Sequence, residues 1–319
     1  MSNKVSKAVV ILGPTASGKT KLAVRLAGVM DGEIISVDSR QVYKGLNLGS
    51  GKDLHEYKNI PYHLIDVAEP GQEYSLFEYL RDVQTALTKI ESNSRLPVFA
   101  GGTGLYLNAL LHGYSLTEAP VNPVLREALN ELPLNELVAR LESLKPLHNA
   151  TDSIERERTV RAIEIAVAEQ ANDNRSVKIG LESMVIGIKY DADKLRIRIR
   201  QRLEARLADG LIEEVKGLQK QGLSWQKLDN FGLEYRYISW YLQGQLNKND
   251  MQQKLVSAIV QFARKQLKWF RRMERNGISI RWLDGDQYHV EDSDFEDRHI
   301  AAINQLSGDI VAWLAQHPD

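Results

Sequence analysis

The chain has 319 residues, with 41 lysines and arginines against 42 aspartates and glutamates, seven histidines and no cysteine. A net charge of −1 argues against a globally basic nucleic-acid coat, and the lack of cysteine removes disulfides, thiolate metal sites and cysteine nucleophiles together. The histidines (His55, His63, His112, His148, His289, His299, His317) are scattered without metal-ligand spacing, and no apolar run approaches the ~20 residues of a membrane span.

This length suggests about two domains. Met1-Ser2-Asn3-Lys4 runs straight into an apolar segment, which leaves no room for a signal peptide, so a cytoplasmic protein is expected. Strands are predicted at Ala8–Leu12, Glu33–Val37, Tyr62–Ile65 and Pro97–Ala100, and helices at Lys19–Met30, Ser75–Ile90 and Gly104–Leu111. Short apolar strands alternating with helices predict a parallel sheet covered on both faces, with ligands beyond the carboxyl ends of its strands. From about Val121 to Val177 the chain reads as helical, is punctuated by Pro123, Pro133 and Pro146, and carries no confident strand. A strand at Met184–Tyr190 then precedes long helices to about Gly277. An acid-rich stretch, Asp284–Asp297, and an amphipathic helix, Ile300–Leu314, close the chain. The expected fold is α/β, a P-loop NTPase-like parallel sheet with helical C-terminal part (residues 1–120 and 178–319) and a helical insertion at 121–177.

Residues 13–20, Gly13-Pro14-Thr15-Ala16-Ser17-Gly18-Lys19-Thr20, form a complete G-x-x-x-x-G-K-[ST] loop between the first strand and the first helix. In that context backbone N–H groups and the helix N-terminus face an anion, Lys19 adds a point charge, and the Thr20 hydroxyl can reach a phosphate-bound magnesium. The loop indicates a di- or triphosphate without saying which. Two more polar segments follow strand ends. Asp38 can act as general base or magnesium partner, or cap its own turn. Thr103, in Gly101-Gly102-Thr103-Gly104, can meet a ligand or serve as a helix N-cap. There is no kinase catalytic loop and no second acidic strand end, so a hydrolysing motor is disfavoured against an enzyme that holds a diphosphate.

Two runs are locally basic: Lys194, Arg196, Arg198, Arg200, Arg202 and Arg206, then Arg264, Lys265, Lys268, Arg271, Arg272 and Arg275. In the first, Leu195, Ile199, Leu203 and Leu207 make the apolar line; in the second, Val260, Ala263, Leu267 and Phe270 do. The charged faces beside them are either solvated surface or anion-binding surface.

Together these segments resemble the tRNA dimethylallyltransferase family: GPTASGKT, IISVDSRQVYKGLNLGSGK (34–52), PYHLID (61–66), VFAGGTGLYLNALLHG (98–113), ERTVRAIEI (157–165), RIRQRLEARLADGLIEEV (198–215) and FARKQLKWFR (262–271). The resemblance runs in order to about residue 283. It implies transfer of a dimethylallyl group from dimethylallyl diphosphate, with Mg²⁺, to N6 of the adenosine 3′ of the anticodon in tRNA, by a monomer. It implies that Gly13 to Thr20 hold the diphosphate, with Thr20 toward the metal, and that Asp38, Thr103 and Arg202 are catalytic. Asp38, Ser39, Arg40, Gln41, Thr103, Arg126, Glu157, Arg158, Thr159, Val160 and Arg161 would meet tRNA, the insertion clasping the anticodon stem-loop. The family pattern is broken at Glu234-Tyr235-Arg236, where Gly-Tyr-[Lys/Arg] is usual, and at Val260, where Thr is common. It is also broken at Arg264-Lys265 and Lys268 within the Ala-Lys-Arg-Gln-x-Thr-Trp stretch, and at Gly49-Ser50-Gly51-Lys52 in place of Gly-Thr-Ala-Lys. Competing readings are an adenylate isopentenyltransferase acting on AMP, a P-loop kinase or ATP-dependent nucleic-acid binder, and a catalytically inactive tRNA-binding relative.

Overall fold

The computed structural model describes residues 5–145, 155–171, 176–285 and 296–317. They form two compact units, residues 1–112 with 180–319, and residues 113–179. His148, His289, Pro146 and most of the acid-rich stretch lie outside the described residues.

In the larger unit, β1 (Ser6–Leu12) leads through the phosphate loop into α1 (Lys19–Val29), followed by β2 (Gly32–Val37), a 3-10 turn (Leu54–Tyr57), β3 (Tyr62–His63), α2 (Leu76–Ser92), β4 (Leu96–Gly101) and α3 (Gly104–Leu111). Apolar residues that alternate with amphipathic helices must be covered on both sides, and β1 and β2 are buried almost throughout. α2 starts where the sequence provides a capping box: the Ser75 hydroxyl accepts the Glu78 N–H, and the Glu78 carboxylate accepts the Ser75 N–H at 2.6 Å. β3 is shorter than the expected Tyr62–Ile65, because Leu64 (φ 63°) and Asp66 (φ 57°) turn the chain into the left-handed region.

The smaller unit holds β5 (Ser115–Thr117), α4 (Pro123–Asn130), α5 (Leu134–Leu144), α6 (Arg156–Gln170) and β6 (Ser176–Lys178). β5 and β6 pair antiparallel in a segment where no strand was expected; three residues each are too few to show an alternation. Leu129, Leu137, Leu141, Val160, Ile163 and Ala166 make its own small core.

The chain then returns to the larger unit as β7 (Leu181–Lys189), α7 (Ala192–Ala208), α8 (Leu211–Lys220), α9 (Trp225–Asn230), α10 (Leu233–Leu242), α11 (Lys248–Arg275), β8 (Ile280–Asp284) and α12 (Glu296–Gln316). β8 is a further strand missed in the sequence, although Ile280-Arg281-Trp282-Leu283 has strand character; it pairs parallel with β7. α7 to α11 pack into a helical core with Val42, Tyr43 and Leu46. In α11 the buried line is Met251, Leu255, Ile259, Ala263, Gln266, Phe270 and Met273, so Val260 and Leu267 are only half-buried. Ala263 and Phe270 of the expected stripe lie on the buried line, while Ile259 and Gln266 stand there in place of Val260 and Leu267.

The sheet order is β3-β2-β4-β1-β7-β8, all parallel, which makes the core a P-loop NTPase-like α/β sheet. Its register sets the height of everything that follows. Gly101 of β4 is paired with Val37 of β2 on one side and Leu12 of β1 on the other. The chain therefore leaves all three strands at one level, within about 10 Å across the sheet. Gly101 permits this spacing, since a Cβ there would run into the backbone carbonyl of Val37.

Gly101→Ala should therefore cost at least ~2 kcal/mol in urea denaturation, as overpacking against rigid backbone does. Gly71→Ala, where a Cβ meets nothing within 4 Å, should change stability by less than ~0.5 kcal/mol. Equal stability of the two variants would contradict the close approach of β2 and β4.

Candidate active site

The phosphate loop, the Asp38 turn and the Thr103 turn leave β1, β2 and β4 at that common level and line one cavity of ≈ 800 Å³ within the larger unit. Gly18 takes φ 79° and Ala16 φ 62°, folding the loop back so that α1 begins at Lys19. The Ser17 hydroxyl is buried without a hydrogen-bond partner, and Thr20 lines the cavity from the first turn of α1.

Asp38 follows the last residue of β2. Its Oδ1 accepts the Arg40 N–H at 2.9 Å and the Gln41 N–H at 3.4 Å, so it does cap its own turn. One oxygen holds the turn and Oδ2 has no such bond, so capping and a second role are compatible. Thr103 occupies the N-cap position of α3 but makes no side-chain cap bond. Its Oγ1 instead accepts the Ser39 N–H at 3.0 Å, which joins the β2 and β4 turns and leaves the hydroxyl proton to be donated. Gln41 is engaged within the protein: its Oε1 accepts from Ser36 Oγ at 2.9 Å and its Nε2 donates to the Gly51 carbonyl at 3.0 Å.

Three of the basic residues of α7, Arg198, Arg202 and Arg206, face this cavity. Arg198 Nε donates to the Ala16 carbonyl at 2.9 Å, and its guanidinium stands 4.8 Å over the Tyr190 ring. Arg202 pairs with Asp53 at 2.9 Å, and Arg206, buried, meets the same carboxylate at 3.4 Å. Gly51 (φ 77°) passes so close that a Cβ would lie 2.7 Å from both guanidinium groups. The Gly49–Lys52 segment is held in place by buried Lys52, which donates to Asp66 and to the Tyr43 carbonyl at 2.5 Å each. Glu214 also holds it, accepting the Leu48 N–H at 2.7 Å and the Gly49 N–H at 3.1 Å.

Crowded cations perturb one another. Burial, then the charge of Arg202, lowers Lys19 from 10.5 to about 8. Burial would raise Asp53, but Arg202 and Arg206 outweigh it and hold the carboxyl below its usual range. Burial pushes Glu234 up, against the pull of Arg206 and Arg202. The cavity is thus cationic at its loop end and holds a carboxyl there at the position that departs from the family pattern.

Asp53 and Gln266 were not expected from the sequence, and Arg206 was expected only as a member of the basic run. Gln266 of α11 accepts the Thr15 N–H on Oε1 at 2.9 Å and donates from Nε2 to the Gly102 carbonyl at 2.9 Å. Its only sequence signal was a polar residue next to the expected apolar line. Trp269, one turn on, lies against Gly104, where a Cβ would come within 2.7 Å of its ring. On the outer face of α11, Arg264, Lys268, Arg271 and Arg275 are exposed and have no ion pair among the described residues.

In the smaller unit, Arg126 and Arg161 are half-buried and share Glu164: Arg126 Nε at 2.8 Å from its Oε1, and Arg161 at 3.0 Å from its Oε2. Glu157 and Arg158 are exposed on α6. Val160 packs in the small core, and Thr159 is buried with its hydroxyl donating to the Glu155 carbonyl at 3.1 Å. A helix that starts at Arg156 turns these two side chains toward the small core.

Among the described residues no helix is long and apolar enough to cross a membrane, and no cluster of His, Asp or Glu is built to hold a metal by itself. The sequence matches the family described as IPP transferase over residues 41–273, and the one described as isopentenyl transferase over residues 6–59. It is 55% identical over 291 residues to tRNA dimethylallyltransferase 1 of Hahella chejuensis, covering 91% of this chain and 96% of that one. It is 53% identical over 279 residues to tRNA dimethylallyltransferase 2 of Syntrophotalea carbinolica, covering 87% and 94%. The fold is similar to that of the tRNA isopentenylpyrophosphate transferase of Bacillus halodurans (TM-score 0.68, 29% identity, 98% of this chain and 100% of that one). A eukaryotic dimethylallyltransferase acting on tRNA is alike in fold, with TM-score 0.75 at 20% identity over 96% of this chain and 80% of that one.

The low Lys19 value gives a signed expectation. The free lysine loses its proton as pH rises through about 8, and a bound anion restores it. Inorganic diphosphate should therefore bind at full strength below pH 8 and lose up to about tenfold per unit above it, relative to Lys19→Arg, with proton uptake. Calorimetry at pH 7 and pH 9 in buffers of different ionisation enthalpy measures both. Parallel pH dependence in the two proteins, with no proton uptake, would contradict it.

Proposed function

The chain belongs to the IPP transferase family, and we propose that its cavity moves a dimethylallyl group from dimethylallyl diphosphate to N6 of the adenosine 3′ of the anticodon in tRNA. The product is N6-isopentenyladenosine, with release of diphosphate. One observation carries the reading: the common strand level brings an anion-binding loop, an aspartate with one uncommitted oxygen and a hydroxyl donor into the same cavity.

In this reading the loop Gly13 to Thr20 holds the diphosphate by the backbone N–H groups it has to spare, that of Thr15 being taken by Gln266, with Lys19 charged against it. As the allylic C1–O bond breaks, charge grows on the departing diphosphate, and Lys19 with Arg202 stabilises it. The Asp53 carboxylate, already shared by Arg202 and Arg206, orients the arginine before substrate arrives. The N6–C1 bond forms as the electron pair of the amine attacks. The amine proton passes to Asp38 Oδ2, while the backbone N–H groups of Arg40 and Gln41 steady the other oxygen. Thr103 donates its hydroxyl proton to the reacting groups and keeps them aligned.

A magnesium ion fits this site as a partner of the substrate. Thr20 offers a hydroxyl at the loop, and among the described residues there is no carboxylate cage, so the remaining ligands would be diphosphate oxygens and water. When bound it would neutralise charge on the leaving diphosphate.

Adenosine in an anticodon loop must leave its stack to reach Asp38, at a cost of a few kcal/mol. The exposed stripe Arg264, Lys268, Arg271 and Arg275 supplies compensating phosphate contacts, and Ser39 and Arg40 lie at the cavity wall to meet the loop. In the smaller unit Glu157 and Arg158 are the exposed tRNA candidates. Arg126 and Arg161, both paired with Glu164, form the half-buried basic part of the same proposed surface. A protein that modifies cellular tRNA works in the cytoplasm, and the proposed catalytic unit is a monomer.

Asp38→Ala should reduce prenyl transfer at least 10³-fold while keeping tRNA affinity within about threefold; the general-base role is lost if turnover persists. Lys268→Ala with Arg271→Ala should lower the slope of log affinity against log salt by about one per lost phosphate contact. An unchanged slope would make that stripe plain solvated surface.

A further inference from the structure

Gln266 is a buried polar side chain in the apolar line of α11, and it touches two chemically important turns at once. Its two ends are matched to opposite partners. Oε1 takes the N–H of Thr15 in the phosphate loop, and Nε2 gives a proton to the carbonyl of Gly102, beside Thr103, each at 2.9 Å. The orientation of the amide is fixed by this pair, because a flipped amide would face N–H with N–H and carbonyl with oxygen. The chain leaves no slack around it: a Cβ on Gly102 would come within 2.5 Å of Nε2.

The bond to Thr15 also has a chemical cost. Phosphate loops bind anions with backbone N–H groups, and here one of them is given to a side chain 251 residues away. A residue that merely filled the core would be apolar, like its neighbours on the same face, Ala263 and Phe270. We propose that Gln266 is a positioning residue: it fixes the phosphate loop against the Gly102–Thr103 turn, and so fixes the leaving diphosphate relative to the attacking base. This rests on the transfer reaction inferred above. The bridge lies on the same helix as the exposed basic stripe, so α11 is tied at its inner face to both halves of the reaction. In-line displacement needs reacting atoms about 3–3.5 Å apart and aligned, and a shift of about 1 Å can cost ~10²-fold in rate.

Two variants and one exchange measurement test this. Gln266→Leu should lower kcat by roughly 30- to 100-fold with KM for prenyl diphosphate and RNA each within threefold. Its melting temperature should stay within about 5 °C of wild type. Gln266→Glu keeps the acceptor for Thr15 but, when ionised, sets an oxygen against the Gly102 carbonyl; once protonated it restores both bonds. Its activity relative to wild type should therefore rise at least about fivefold from pH 8.5 to pH 6. The proposal is overturned if Gln266→Leu keeps kcat within twofold, if its loss lies wholly in KM, or if the Gln266→Glu ratio is flat with pH. The Thr15 amide should exchange slowly in the wild type and fast in Gln266→Leu, whatever the substrate. If the wild type transfers no prenyl group, the reaction assignment falls, while this exchange contrast still supports the bridge; fast wild-type exchange overturns it.

Discussion

The parallel pairing of β4 between β1 and β2 is the constraint on which the rest of the molecule depends. Because Leu12, Gly101 and Val37 are matched in register, the loops that follow them start at one height. A slip of one residue would turn every side chain of a strand to the opposite face, so burial on both faces locks this register. No single loop has to reach for its partners. Short links suffice: Thr103 to Ser39 joins the β4 turn to the β2 turn, and Gln266 joins the same β4 turn to the phosphate loop.

The second organising element is charge. Lys19, Arg198, Arg202 and Arg206 converge on the loop end of the cavity, and Asp53 is the carboxylate that makes this tolerable. Cations gathered in a half-buried site repel and lose solvation, which is why Lys19 titrates so low. A bound anion would offset both penalties, so the electrostatics of the site favour an anion. Glu234 adds a carboxyl to that end where a glycine is usual in the family pattern. Burial raises its pKa above the usual carboxylate range, against the pull of Arg206 and Arg202.

Much of this was legible in the sequence, for reasons of locality. The loop at 13–20 and the residues after the strand ends are contiguous segments whose chemistry and spacing coincide. The strands at Ala8–Leu12, Glu33–Val37 and Pro97–Ala100 stand out because their apolar runs are too short for helices and are bounded by glycine or polar turns. What escaped depends on partners far away in the chain. Asp53 and Arg206 lie 153 residues apart, and nothing local links them. Gln266 was hidden because the apolar line of α11 was drawn through Val260 and Leu267, one residue off the buried face. β8 was masked by its two charged residues in five, and β5 and β6 by their brevity. Thr159 and Val160 were assigned to RNA by resemblance alone, before the helix that turns them inward was known.

The central claim is that the phosphate loop holds a leaving diphosphate instead of a nucleotide that is hydrolysed. Its most direct measurement supplies the protein and Mg²⁺ with dimethylallyl diphosphate labelled in the allyl group, and with an anticodon stem-loop RNA, AMP or no acceptor, alongside ATP as a rival ligand. The account predicts label on N6 of the adenosine 3′ of the anticodon, one diphosphate released per transfer, little label on AMP and no ATP turnover. Label on AMP alone, or ATP hydrolysis with unlabelled RNA, would contradict it.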